Sequence, residues 1–260
     1  MIKNIYILIG IIFIIIIIIL LYYILYNNNS HHSNFSNKYD ITEIIYLSKY
    51  DTIKFITADQ DNYIKSLSPY DLIARNVRNS TEYIYKITNA CLDFNDNQKE
   101  KLTNCAIIAK NFFNNNYIWK FALIDNVYEE GFPHTRADII FLSPKIIDYS
   151  NDILIEILIH ESIHIYQRYN KTAINTYLLN NGYKISRNRN TEPLIRANPD
   201  LDEYIYKDSN DEEMIYKYKS SNPLSINDII PSKNEHPYEV MAYEISENYN
   251  KMKMSKYINV

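Results

Sequence analysis

Several things are scarce in this 260-residue chain. Cysteine occurs twice, at Cys91 and Cys105. Neither lies in a zinc-ribbon spacing, and a single disulfide and a pair of buried thiols both stay open. Excess positive charge is missing as well. The net charge of −4 gives a nucleic-acid role no electrostatic support. Only 3 glycines stand against 26 tyrosines. With the wealth of Ile, Asn and Lys, that is the mark of A/T-rich coding DNA and carries no chemistry. Charge is absent altogether from residues 5–26, which are mostly Ile and Leu.

That uncharged run has a length with meaning. Twenty-two residues at 1.5 Å each make roughly 33 Å of helix, enough to cross a hydrocarbon core. A cleaved signal peptide has a shorter apolar region and a small-residue cleavage site; here Tyr22, Tyr23 and Tyr26 follow, suited to an interfacial belt. Residues 1–26 are therefore expected to be a single-pass transmembrane anchor, and the Asn/Ser/His-rich stretch 27–39 a polar tether. Residues 40–260 form the remaining domain. Lys3 precedes the span and the next cation is Lys38, so the positive-inside rule puts the N-terminus in the cytosol and the domain on the lumenal or exterior side. Four Asn-x-Ser/Thr sequons, at Asn28, Asn34, Asn79 and Asn170, suit that side but are expected by chance in so Asn-rich a chain. One span without an internal charge argues against a transport or signalling protein.

Histidine is scarce too, with 6 in the chain, which gives weight to His160-Glu161-Ser162-Ile163-His164. A chance match to H-E-x-x-H at this histidine content is on the order of one in a hundred or rarer. On a helix, residues i and i+4 lie about 40° apart on one face, so two imidazoles can hold one Zn2+. The intervening Glu is not a ligand; it stands where it can take a proton from a water that the metal activates. Ser150, Asn151 and Asp152 offer N-cap chemistry before the run, and Leu154, Ile157 and Leu158 continue into Ser162 and His164 as one stripe. The helix is expected to end near Tyr169-Asn170.

Around it the pattern varies. Residues 41–115 read as mostly helical, with Ile44-Ile45-Leu47 at helix-like spacing, a helix start at Ser68-Pro69 and a helix over 98–113. Residues 117–124 and 137–142 read as strands, with a turn region at 125–133. A strand followed by an HExxH helix is the order found in zincins, where an edge strand beside the helix aligns the peptide. Residues 137–142 are expected to be that edge strand, with Ile139 and Ile140 binding substrate by strand addition. Residues 175–234 read as short helices and loops over a cleft. A last helix begins near Pro237 and puts Glu239, Ala242, Tyr243 and Ser246 on one face.

Catalytic zinc commonly takes three protein ligands. No His follows His164 until His236, which favours a carboxylate on a later helix, the gluzincin arrangement. Glu239 is the leading candidate, since the small Ala242 lets its helix pack closely on the metal helix. Glu244, Glu235, His236 and Asp200 are rivals. His134 can donate to an oxyanion or cap a turn. Arg196 can bind a substrate carboxylate or brace its loop to Asp200. Tyr166, Tyr238 and Tyr243 can be phenol donors or packing residues.

The series Gly131-Phe132-Pro133-His134-Thr135-Arg136, Ile139-Ile140-Phe141-Leu142-Ser143, His160 to Arg168, Arg196-Ala197-Asn198-Pro199-Asp200 and His236 to Ala242 resembles a family of HExxH, gluzincin-like zinc metallopeptidases. Its members are encoded by large DNA viruses and some microbial eukaryotes. The likeness spans residues 68–243, leaving the anchor outside. It implies a zincin-like α+β hydrolase with His160, His164 and Glu239 on zinc, acting on a polypeptide substrate that it does not specify. Two other functions remain in view: a membrane-anchored structural or virion protein without catalysis, and a zinc hydrolase of a non-peptide bond. An intact Glu161 speaks against the first, because a zinc scaffold has no use for a base. Oligomeric state is not encoded in any feature.

Overall fold

The computed structural model describes residues 44–113 and 117–258. The expected anchor and tether, residues 1–26 and 27–39, lie outside the described residues. Among the described residues no helix is long and apolar enough to cross a membrane.

The architecture is mixed α+β. The main sheet holds β1 (Ile44–Tyr46), β2 (Cys91–Leu92), β3 (Trp119–Ile124), β4 (His134–Arg136) and β5 (Ile139–Leu142). Its order is β1-β3-β5-β4, with β2 pairing the far end of β3. β1, β3 and β5 run parallel; β4 folds back antiparallel on β5. Side chains alternate across this sheet, and both faces are buried. Phe121, Leu123, Ile140 and Leu142 face one core, while Ala122, Ile124, Ile139 and Phe141 face the other. This is why the strands read as unbroken apolar runs.

Helices cover both faces. α1 (Lys49–Ala58), α2 (Pro69–Ala74) and α3 (Ser80–Asn89) precede β2. Ile56 of α1 and Tyr83 and Ile87 of α3 pack beneath Phe141. Pro69 starts α2 as expected, and Ser68 and Asp71 form a reciprocal capping box. α4 (Asp96–Phe112) starts the same way, through Asn95 and Gln98. α5 (Pro144–Ile147) is a single turn leading into α6 (Asn151–Tyr169). α6 brings Leu154, Leu158, Ile159 and Ile163 against the opposite face, with Leu102 and Ala106 of α4. α7 (Lys171–Asn180) follows at once, and α8 (Pro237–Ile258) closes the described chain. Ala242 of α8 is fully buried in the same core, the close approach its size permits.

Three expectations are corrected. Ile44-Ile45-Leu47 is not helical, because β1 pairs with β3 and that pairing overrides the local spacing. Residues 175–234 do hold helical pieces, the end of α7 and a 3-10 turn at Arg189–Thr191, but they also hold two small sheets that were not expected: β6 (Lys184–Asn188), β7 (Tyr204–Lys207) and β8 (Glu213–Met214) in one, β9 (Tyr216–Tyr218) and β10 (Ile229–Pro231) in another. And β5 is not an edge strand. β3 and β4 flank it, and Ile139 and Ile140 are 4% and 0% exposed, so neither can bind substrate by strand addition. The edge belongs to β4, whose outward main chain is already taken: Asp200 accepts the Thr135 N–H at 2.6 Å, and Arg168 donates to the Thr135 carbonyl at 2.9 Å. Cys91 and Cys105 are two separate buried thiols, and burial pushes the Cys91 thiol up to about 11.

Candidate metal centre

α6 presents His160 and His164 on one face, with their Nε2 atoms 3.0 Å apart. α8 supplies Glu239 from its first turn. Its Oε2 lies 3.3 Å from His160 Nε2 and 3.8 Å from His164 Nε2. Among the described residues this is the group of three His, Cys, Asp or Glu side chains whose ligand atoms converge, all within 4.8 Å. Two nitrogens on a tetrahedral zinc at 2.0–2.1 Å stand about 3.3 Å apart, so the three spacings bracket what one such ion requires.

The protonation chemistry fits as well. Gln167 lies one turn beyond His164; its Nε2 donates to the Tyr238 carbonyl at 2.9 Å, which fixes its amide orientation. Its Oε1 therefore accepts the Nδ1–H of His164, also at 2.9 Å, and leaves His164 Nε2 with a bare lone pair. Burial pushes the His164 imidazole down, against the pull of Asp200 and Glu239, and so favours the neutral, ligating ring. Burial pushes Glu239 up, but the charge the imidazole pair carries when protonated and the hydrogen bonds from His160 and the Asn198 amide outweigh it and hold the carboxyl below the usual range. Asn198 donates to the other oxygen of Glu239, Oε1, at 3.1 Å, leaving Oε2 toward the histidines.

The rival ligands are engaged elsewhere. Glu235 receives a forked pair from Arg196 at 2.7 and 2.8 Å. His236 sits before Pro237, accepts the Tyr238 N–H on Nδ1 and meets Asp202 through Nε2. Glu244 accepts from the Tyr177 hydroxyl, and Asp200 is bound by Thr135. Arg196 is thus a brace, but onto Glu235 and the Tyr216 ring. Asp200 is held by Thr135 and flanked by Arg168.

Glu161 is 4% exposed, and its Oε2 has no hydrogen-bond partner. Burial first, then the charges of Asp200 and Glu239, push its carboxyl well above the usual range against the pull of Arg168. It is a carboxylate that takes up a proton readily. His134, on β4, stacks flat on Phe141 and edge-on to Tyr128. Its Nδ1 meets the Phe132 carbonyl at 3.0 Å and must carry the hydrogen there. Nε2 is then an acceptor without a partner, and burial lowers the ring's basicity. A neutral His134 cannot donate to an oxyanion from Nε2, and of its two expected roles the Phe132 contact fits the turn cap. Of the three tyrosines, Tyr166 packs on Phe113 and Tyr238 on His236, whereas Tyr243 meets His160 edge-on at 4.5 Å.

His134, His160, Glu161, Glu239 and Tyr243 line one cleft of about 920 Å³. Gln167 and Asn198 carry no expectation from the sequence. Gln167 has a usable signal, since a polar side chain three residues past a ligand shares its face; for Asn198, in a loop, the signal is the Arg196-Ala197-Asn198-Pro199-Asp200 stretch, which gives it no role. Comparison of the chain with protein-family models, with curated proteins and with solved structures finds no match.

Proposed function

We propose that this chain is a zinc-dependent metallopeptidase of gluzincin type on a zincin-like fold, tethered to a membrane through residues 1–26 with its domain on the lumenal or exterior side. The observation that carries the reading is the convergence of His160, His164 and Glu239 beside an orphaned, buried Glu161 carboxylate. A zinc ion, when bound, supplies Lewis acidity toward a carbonyl and a water. Glu161 takes the proton of the attacking water and passes it to the leaving amine. Tyr243, its phenol pushed up to about 12 by burial and by Glu239 and Glu161, stays protonated and can donate to the oxyanion that develops on the substrate. Gln167 and Asn198 keep the ligand side chains in place.

The test is zinc content and peptide hydrolysis of the full chain. One zinc per chain, weakened in Glu239→Ala, with turnover lost in Glu161→Gln, is the expected result. Equal activity in Glu161→Gln would sink the assigned role.

One observation favours a second reading, a zinc hydrolase of a non-peptide bond. The Thr135 N–H and C=O, which an added peptide strand needs, are occupied by Asp200 and Arg168. On the peptidase reading, recognition falls to side chains lining the cleft.

A further inference from the structure

The cleft has a lopsided charge. Lys233 and Arg196 are the only lysine or arginine side chains among the described residues that line it, and Arg196 is bound to Glu235. Against them stand Glu156, Glu244 and Glu247, beyond the carboxylates already assigned and Glu129, which is paired with the buried Arg75. None of these three is neutralised in a buried ion pair. Glu156 accepts from the Asn250 amide at 2.6 Å, and Glu244 from the Tyr177 hydroxyl at 3.2 Å. Among the described residues Glu247 meets Lys251, at 3.4 Å, and both are solvated. Such an exposed pair cancels little charge.

A second feature points the same way. His134 is 2% exposed, lines this cleft, and has an Nε2 lone pair with no donor. A buried acceptor left unmatched is costly, and a ligand rich in N–H donors satisfies it.

The positions of the carboxylates are ordered. α6 and α8 run antiparallel, since Gln167 meets Tyr238 at one end and Glu156 meets Asn250 at the other. Going from His160 to Glu156 and from Glu239 to Glu247 therefore leads the same way along the cleft. The helical rise puts Glu156 about 6 Å and Glu247 about 12 Å from the ligands. An extended peptide advances about 3.3 Å per residue, so these distances match side chains roughly two and four residues from the bond attacked.

We propose that the cleft takes a basic polypeptide, with lysine or arginine side chains about two to four residues to one side of the scissile bond, set against Glu156 and Glu247. This rests on the peptidase reading above. The test uses the full chain loaded with zinc and a set of labelled ten-residue peptides. Lysine, glutamate or glutamine is placed at each position within four residues of the cleavage point, which is located by mass spectrometry.

Lysine on one side should raise kcat/KM over glutamine on the order of tenfold. That ratio should fall toward one in Glu156→Gln/Glu247→Gln and favour glutamate in Glu156→Lys/Glu247→Lys. Cleavage without charge preference, or a preference that the Gln pair leaves intact, overturns this inference and spares the peptidase. If no peptide is cleaved, anisotropy decides: tighter binding of lysine peptides that depends on Glu156 and Glu247 keeps the ligand class while the peptidase reading falls. If the Lys pair does not fold, the wild-type preference must still weaken as salt rises; a salt-independent preference overturns the inference.

Discussion

The Gln167 amide accepts the Nδ1–H of His164 at 2.9 Å and, with its other end, donates to the carbonyl next to Glu239. One side chain thus sets the tautomer of His164 on α6 and anchors the first turn of α8, which carries Glu239, the two being ligands on the proposed reading. Replacing it with Leu removes both bonds, so this side chain no longer fixes the His164 ring or ties α6 to the first turn of α8. Zinc affinity should fall about 10- to 100-fold, read by competition with a chromophoric chelator. An unchanged affinity would show that helix packing alone places the ligands.

Asn198 does the same for Glu239, holding Oε1 at 3.1 Å so that Oε2 faces the imidazoles. Asn198→Ala should weaken zinc binding by a smaller factor, roughly tenfold, because Glu239 keeps its helix position. Asn198→Asp should be worse than Ala, since it sets a carboxylate against both Glu235 and Glu239. If Asp and Ala bind zinc alike, charge at this point does not matter.

Glu161→Gln preserves shape and removes the base. It should keep one zinc per chain and lose about 10²- to 10⁴-fold in kcat. Zinc content and kcat are measured on the same sample, so a folding defect cannot pass for a catalytic one. Loss of zinc in this variant would mean that Glu161 helps to hold the metal.

How much of this was legible before the structure follows from where each constraint lives. His160, Glu161 and His164 sit within one helix, so spacing alone brings them together. Ser68-Pro69 and His236-Pro237 are local punctuation and mark helix starts correctly. Glu239 needed a tertiary argument, the small Ala242 one turn on; the structure brings its carboxylate within reach of the two histidines. What failed was non-local. Whether β5 is an edge depends on three residues, His134–Arg136, turning back to cover it. Short strands such as Glu213–Met214 carry too few residues for an alternation to register. The buried Glu129 lies in what read only as a turn region, with its partners 54 and 46 residues away in sequence.

That Glu129 carboxylate gives a pH prediction. Burial pushes it up, but the Arg75 charge and forked hydrogen bond, with the Tyr83 hydroxyl, outweigh burial and hold it at about 2. Its folded value is depressed, so its contribution is complete above the ordinary value of 4.5 and is lost as pH falls from there toward 2. A shift of that size is worth about 3 kcal/mol. Glu129→Gln should lower stability at pH 7 by about 3–5 kcal/mol, because the buried Arg75 loses its forked carboxylate and keeps only the Asp71 carboxylate, at 3.7 Å. It should also flatten the loss of stability between pH 4.5 and 2, followed by urea denaturation. Parallel curves for the two proteins would place the acid-sensitive group elsewhere.

Ala242 separates stability from metal binding. It is fully buried where α8 meets α6, one turn past Glu239. A Leu there has no room, and overpacking costs about 1–3 kcal/mol. The way to relieve it is to move α8 outward, and that carries Glu239 Oε2 away from two nitrogens now 3.3 and 3.8 Å distant. Ala109 on α4 is equally buried in the same core but bears no ligand. Ala109→Leu should therefore lower the melting temperature by a similar few degrees and leave zinc affinity as it was. Ala242→Leu should lower both, and the added loss of affinity measures how strongly the third ligand depends on the contact between the two helices. Equal zinc affinity in the two variants would mean that Glu239 follows the histidines through its own side-chain freedom, and that close packing at Ala242 serves the core alone.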